Sequence, residues 1–114
     1  MFTRVLGPDH YEVAVTCNNL AAIAYRRGDF AEAEQLYRRA VAIKEEVLGP
    51  QHPELGATLN NLALLREDMG DREAATSLYQ GALTILERAV SPEHPVLAAC
   101  RANYAALIEA RSVS

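Results

Sequence analysis

The sequence predicts an all-α fold, a solenoid of antiparallel helix pairs with about five helices. The main observation is an internal repeat, because residues 6–47 and 48–89 are identical at 18 of 42 aligned positions without a gap. Self-similarity at a fixed period is typical of stacked repeats, in which each unit buries its apolar face against a neighbour. Apolar residues in each unit recur at helical spacing, and no segment alternates with period two, so no sheet is expected.

The helix boundaries are predicted from glycine and proline between the periodic segments. Gly28 can adopt the left-handed conformation that ends a helix, and Asp29 can cap the helix that follows. Pro53 and Pro95 each follow a histidine and suit a first helical position, where the missing N–H costs nothing. The predicted helices are 11–27, 30–47, 53–69, 72–89 and 95–111.

The apolar stripes of these helices predict the core. At 100° per residue, Val13, Cys17, Leu20 and Ala24 share one side of the first helix, and we expect that side to be buried. The stripe of the second helix is Ala33, Leu36, Tyr37, Ala40, Ile43 and Val47, and the second repeat conserves most of its members.

Composition limits the partners and the location. A net charge of −4 and a pI of about 5.3 argue against binding to nucleic acid or to anionic lipid, which needs a basic surface. No apolar run approaches the ~18 residues of a membrane-spanning helix. Two cysteines without a C-x-x-C pair are interpreted as buried hydrophobes in a reducing, cytoplasmic location. One lysine beside ten arginines indicates a GC-rich, bacterial genome.

The sequence predicts neither an enzyme nor a cofactor or metal site. His10, His52 and His94 occupy equivalent points of successive repeats, so helix packing would separate neighbours by about 8–10 Å or more. Zinc needs its ligands at about 2 Å, and a role at the helix start is therefore favoured for these histidines. Cys17 with His10 lacks a third orienting group, and the chain has no glycine-rich phosphate loop and no H-E-x-x-H.

The repeat resembles the tetratricopeptide repeat, in the 42-residue form typical of kinesin light chains and of many bacterial scaffold proteins. The residues that carry the resemblance are Asn60-Asn61-Leu62-Ala63, Gly70-Asp71, Leu78-Tyr79 and Leu48-Gly49-Pro50. The resemblance covers nearly the whole chain and implies a single array over residues 1–114. Residues 1–6 would be the end of a preceding helix, followed by repeats at 6–47 and 48–89 and by half a repeat at 90–114.

The resemblance also implies a right-handed superhelix whose first helices line a concave groove. Such grooves bind short, extended peptide segments of other proteins, so the first functional hypothesis is a non-catalytic protein-interaction module. The alternative is an assembly element that self-associates or packs on other domains through its terminal helix faces. A homo-oligomer would then form through residues 1–6 or through the last helix, whose apolar residues are Leu97, Tyr104, Leu107 and Ile108.

The predicted groove lies on the side of the first, third and fifth helices opposite the core. Asn19, Asn61 and Asn103 are spaced one repeat apart, and the corresponding family position contacts the backbone of bound peptide. An amide both donates and accepts, as a peptide backbone does, although the same amides could instead bridge adjacent helices. The predicted groove residues are Asn18, Asn19, Ala22, Tyr25, Arg26, Asn60, Asn61, Leu64, Glu67, Asp68, Asn103 and Ala106.

Charge in this set favours neutral or basic peptides. Arg26 is its only base, whereas Glu67 and Asp68 are acids, and Glu109 lies on the same side of the fifth helix. Electrostatic complementarity would therefore disfavour an acidic ligand. The alternative is that these charges are solvated and bind nothing.

Overall fold

The computed structural model describes residues 8–113, with side chains from residue 10 to residue 110. Within that range the chain is 86% helical, without strands, which confirms the predicted fold class. The helices begin and end within three residues of the predicted boundaries. The predicted end of a preceding helix, at residues 1–6, lies outside the described range. The five helices are α1 (Pro8–Arg27), α2 (Phe30–Leu48), α3 (Pro53–Asp68), α4 (Arg72–Ala89) and α5 (Pro95–Val113).

The helices pack as a short solenoid. The most extensive contacts join α1 to α2 and α3 to α4, while α2 packs on α3, and α5 packs on α4 and to a lesser extent on α3. The molecule is elongated, with extents of 54 × 33 × 20 Å. Each helix is therefore stabilised by its neighbours along the chain, as in other stacked repeats.

The two turns inside the repeats share their glycine but differ in their cap. Gly28 and Gly70 have φ of 86° and 87°, the left-handed conformation that the sequence predicts there. Asp71 caps α4, since its carboxylate accepts a hydrogen bond of 3.1 Å from the backbone N–H of Ala74. The expected cap by Asp29 is wrong: Asp29 occupies the N-cap position of α2, but its side chain makes no cap hydrogen bond.

The difference follows from one residue of the preceding helix. Arg66 holds the Asp71 carboxylate at 2.7 Å, whereas the equivalent position in the first repeat is Ala24, which has no group that could orient Asp29.

Two histidines stand at helix starts, as predicted. The Nδ1 atom of His52 accepts from the backbone N–H of Glu54 at 3.1 Å, and that of His94 accepts from Val96 at 3.2 Å. Each ring thereby satisfies one of the N–H groups that a helix start leaves unpaired. His10 differs, because it lies within α1 with its Nε2 atom 3.7 Å from Glu46 Oε1. Across residues 8–113, no cluster of three metal-binding side chains occurs.

Small residues at the helix contacts bring the paired helices close together. Ala33 and Ala40 on α2 and their equivalents Ala75 and Ala82 on α4 are fully buried. The tyrosines Tyr37 and Tyr79 fill the space between successive helices, and both are buried. Cys17 and Cys100 are free and buried, in agreement with their interpretation as small hydrophobes. None of the described helices is long and apolar enough to cross a membrane.

The predicted core of α1 is half wrong. Cys17 and Ala24 are buried as expected, but Val13 and Leu20 are 37% and 48% exposed. The buried side of α1 is instead formed by Ala14, Cys17, Ala21 and Ala24. The predicted stripe of α1 combines residues of two helix contacts. One contact is with the helix that follows α1, and the other is with a helix on the opposite side of α1. Among residues 8–113, no helix buries Val13 and Leu20, so this half of the stripe stays exposed.

The expectation of an exposed apolar face on α5 also needs correction. Leu97 and Leu107 are only 1% exposed, because α4 covers them, and Tyr104 is half-buried. Ile108 is 41% exposed and is the one member of the predicted face that is largely accessible.

Arg66 joins three helices through a partly buried charge cluster. Its guanidinium donates to Glu34 on α2 at 2.8 Å and to Asp71 at the start of α4 at 2.7 Å. The Arg66 and Glu34 side chains are only 20% and 18% exposed, so water screens this pair less than a surface pair.

Replacing Arg66 by Ala should lower the free energy of unfolding by about 1–3 kcal/mol, because Asp71 loses its charged partner and Glu34 keeps only the exposed Arg38. Urea unfolding followed by circular dichroism measures the loss. The matched control is Arg38→Ala, which removes a base from the same Glu34 but at a side chain that is 57% exposed. That variant should lose at most about 0.5 kcal/mol. Equal losses in both variants would contradict the role of the cluster.

Candidate functional site

Neighbouring first helices are joined by hydrogen bonds of a single register. Tyr11 Oη donates to Glu54 Oε1 at 2.7 Å, and the two residues are 43 positions apart. Tyr25 Oη donates to Asp68, again 43 positions away. These bonds join α1 to α3 at both ends of the two helices. They hold one edge of α1 against the facing edge of α3.

Burial and these carboxylates raise the pKa values of both phenols. Desolvation, followed by the hydrogen bond to Asp68, raises the pKa of Tyr25 to about 12. The hydrogen bond to Glu54 is the largest cause that raises the pKa of Tyr11. Both shifts extend the pH range in which these hydroxyls are donors further into the alkaline region.

Between the two bonded edges, each first helix presents a surface turned away from α2 and α4. On α1 this surface is centred on Val15 and Ala22, which are half-buried and lie about 100° around the helix from the buried alanines. We call it the first-helix face. Its central residues are Val15 and Ala22 on α1, Ala57 and Leu64 on α3, and Ala99 and Ala106 on α5. The row is apolar, and its members range from half-buried to exposed.

The predicted groove asparagines divide into two groups. Asn60 is only 7% exposed, and its Oδ1 atom accepts from Asn103 Nδ2 at 3.2 Å, which joins α3 to α5. This pair adopts the helix-bridging role that the sequence left open. Asn19 is exposed and Asn61 is half-buried, and neither side chain hydrogen bonds to another described residue.

Asn18 lies one repeat before Asn60 and should bond to Asn61 by the same register. The Asn18 Oδ1 atom is instead buried without a hydrogen-bond partner. An unsatisfied buried acceptor costs about 1–3 kcal/mol.

The acids of the predicted groove are engaged with tyrosines. Glu67 accepts from Tyr79 Oη at 2.9 Å and is half-buried, so its carboxylate is tied to α4. Asp68 is exposed but accepts from Tyr25. Glu67 is therefore not a freely solvated charge, whereas Asp68 remains exposed to solvent. Arg26 is exposed, as are Ala106 and Glu109 on α5.

Sequence reasoning missed Tyr11 and Glu54 as members of the joint. The signal that could have identified them is a spacing of 43 residues, one more than the repeat period. At this spacing a tyrosine precedes an acid twice, as Tyr11 precedes Glu54 and Tyr25 precedes Asp68. Sequence reasoning also assigned no role to Arg66, which organises the charge cluster of the second repeat.

Comparison with known proteins supports the architecture. The sequence pattern of the tetratricopeptide repeat matches residues 1–46, 12–88 and 54–111. The crystal structure of BtubC (BKLC) from P. vanneervenii is similar, with a TM-score of 0.80 and 26% sequence identity. The similarity covers 87% of this chain and 40% of that one, so the chain spans less than half of that protein. A comparison with curated proteins finds no match.

The family indicates the general function of the repeat. Tetratricopeptide repeats mediate protein–protein interaction and form a non-catalytic scaffold. The pattern match extends over most of the residues, and the solved neighbour shares the helical solenoid. The chain therefore belongs to the tetratricopeptide repeat family, in its kinesin-light-chain-like form.

Proposed function

We propose that the chain binds an extended peptide segment of a partner protein on its first-helix face. The observation that carries the proposal is the face itself: an apolar row flanked by Asn19 and Asn61, whose amides make no hydrogen bond to other described residues. Such amides can hold a peptide backbone without reading its side chains. The three hydrogen bonds between first helices preorganise the surface, which reduces the entropy lost on binding.

The dimensions suit a short ligand. Packed helices lie about 8–10 Å apart, and an extended peptide rises about 3.3 Å per residue. One repeat therefore accommodates about three peptide residues, and the span from α1 to α5 accommodates roughly six. The small side chains of Ala22 and Ala57 allow the peptide to approach closely.

The charges favour a neutral or basic peptide. Asp68 is exposed at one end of the face and Glu109 is exposed on α5, whereas Arg26 is the one predicted groove base. A ligand rich in Asp and Glu would meet an unfavourable potential, which lowers both its association rate and its affinity.

The test is selection from a random peptide display library, followed by affinity measurements on two variants. Asn19→Ala/Asn61→Ala removes the two available amides without touching the buried Asn60, and should weaken the selected peptides at least about tenfold, or 1.4 kcal/mol. The control, Gln35→Ala, removes an exposed amide of α2 and should leave affinity unchanged. No selection on a folded parent protein, or equal affinity for both variants, would contradict the proposal.

A further inference from the structure

The buried residues of the two second helices, α2 and α4, match at every position but one. Those of α2 are Ala33, Tyr37, Ala40, Ile43 and Lys44, and those of α4 are Ala75, Tyr79, Ala82, Ile85 and Leu86. Taken in repeat order, the first four residue types are identical, and only Lys44 and Leu86 differ. Among these buried residues, a single ammonium group therefore distinguishes α2 from α4.

Lys44 has two oxygen partners on α3. Its Nζ atom donates to Thr58 Oγ1 at 3.0 Å and lies 3.7 Å from Glu54 Oε1. The lysine side chain is only 7% exposed, and burial lowers the pKa of its amine, an effect that the Glu54 carboxylate opposes. A buried charge without such partners is strongly destabilising. Lys44 is therefore compatible with burial only opposite groups that accept from it.

The requirement belongs to the lysine and not to its partners. Thr58 Oγ1 also donates to the backbone oxygen of Glu54 at 3.1 Å. The Glu54 side chain is 42% exposed and accepts from Tyr11. Both residues are therefore satisfied whether or not an ammonium group faces them, whereas the ammonium group depends on them.

The contact between α4 and α5 has no equivalent of these partners. The positions of Glu54 and Thr58 are taken on α5 by Val96 and Cys100, whose side chains carry no oxygen and pack in one cluster with Leu86. Cys100 is fully buried, and burial is the largest cause that raises its pKa to about 11, as in other apolar surroundings. A lysine buried here would lose its water without gaining an acceptor.

Repeats that are this similar can assemble in the wrong order. If two copies exchange segments, α2 of one copy packs on α5 of the other, and α4 of the second packs on α3 of the first. Every second helix still packs on a first helix, and four of the five buried residue types of each second helix are unchanged. Misassembly of this kind is a characteristic failure of repeat proteins. In the exchanged arrangement, however, Lys44 would face Val96 and Cys100.

We propose that the contact of Lys44 with Thr58 and Glu54 fixes the order of the repeats, because it permits α2 to pack on α3 and excludes α2 from α5. The contact acts against the competing arrangement more than for the stability of the native one, since apolar residues of similar volume often stabilise such a site equally well. A buried polar residue sets the register of coiled coils in the same way. The inference is independent of the proposed peptide binding.

The order of the repeats is tested by refolding the whole chain from urea at rising protein concentration, followed by size-exclusion chromatography with light scattering. The parent chain should give a single species at every concentration. Lys44→Leu should keep the helical circular dichroism signal but add a species of twice the mass, whose share grows with concentration. The reason is that its two second helices then bury the same residue types.

A matched control moves the lysine and its partners to the other contact without changing the composition of the chain. It combines Lys44→Leu, Leu86→Lys, Glu54→Val, Val96→Glu, Thr58→Cys and Cys100→Thr. Because the lysine again has its acceptors in only one arrangement, this variant should refold to a single species, as the parent does.

The need of the lysine for its partners is measured by urea unfolding. Leu86→Lys alone should lower the folding equilibrium constant at least about a hundredfold, because the ammonium group faces Val96 and Cys100. Adding Val96→Glu/Cys100→Thr should recover at least about tenfold of that loss. The proposal is overturned if Lys44→Leu refolds only to the species of the parent, or if the control forms the heavier one. It is also overturned if Leu86→Lys is tolerated, or if the added acceptors do not rescue it.

Discussion

Leu62→Ala should lower the free energy of unfolding by about 2–5 kcal/mol, whereas Leu20→Ala should lower it by less than about 1 kcal/mol. The two leucines occupy the same position of successive repeats, but Leu62 is 2% exposed and Leu20 is 48% exposed. Truncating Leu62 leaves a cavity between α2 and α3, while truncating Leu20 removes contacts that water already interrupts. Urea unfolding followed by circular dichroism gives both values.

The pair of variants is its own control, because residue type, helix propensity and position in the repeat are matched. Ile43→Ala, at a buried residue of α2 that is 6% exposed, serves as a second reference for a large loss. If Leu20→Ala costs as much as Leu62→Ala, Leu20 is covered in solution and the contrast in burial between the two leucines does not hold.

The sequence predicts the local structure well because its signals are local. Gly28 and Gly70 end helices by their φ, and Pro53 and Pro95 begin helices, so the boundaries need no knowledge of the neighbours. The alanines at the helix contacts follow from periodicity for the same reason. Solvent exposure cannot be predicted in the same way. Val13 and Leu62 belong to the same apolar pattern of the first helices, yet only Leu62 has a described helix packed on it.

The candidate site shows the same limit. Helical periodicity identifies the side of each first helix that carries the asparagines, but it does not determine their partners. Asn60 bridges to Asn103, whereas Asn18, in the same repeat position, leaves its Oδ1 atom unpaired. The 43-residue separation of the bonded residues depends on the offset between successive first helices along their axes. That offset is set by packing of the whole array and is not encoded in either helix alone.

Alkaline pH should destabilise the protein steeply, with Tyr79 as a major cause. Burial, followed by the hydrogen bond to Glu67, raises the pKa of Tyr79 far above its usual range. Unfolded tyrosine loses its proton near pH 10, whereas native Tyr79 retains it. The stabilisation is complete below pH 10 and declines by about 1.4 kcal/mol per pH unit above it, until the native pKa is reached. Tyr25 and Cys100, whose pKa values rise to about 12 and about 11, add to the decline.

Tyr79→Phe should reduce that slope by about 1.4 kcal/mol per pH unit between pH 10 and 12, measured by urea unfolding at a series of pH values. At neutral pH the same variant should lose only about 1 kcal/mol, the contribution of the hydroxyl bonded to Glu67. Leu86→Ala, in the same buried cluster, is the control: it should lower stability at every pH and leave the slope intact. Burial lowers the pKa of Lys44, which opposes the decline but is common to all three proteins. An unchanged slope in Tyr79→Phe would mean that the phenol ionises in the native state as readily as in the unfolded chain, and that burial by α5 does not hold it neutral.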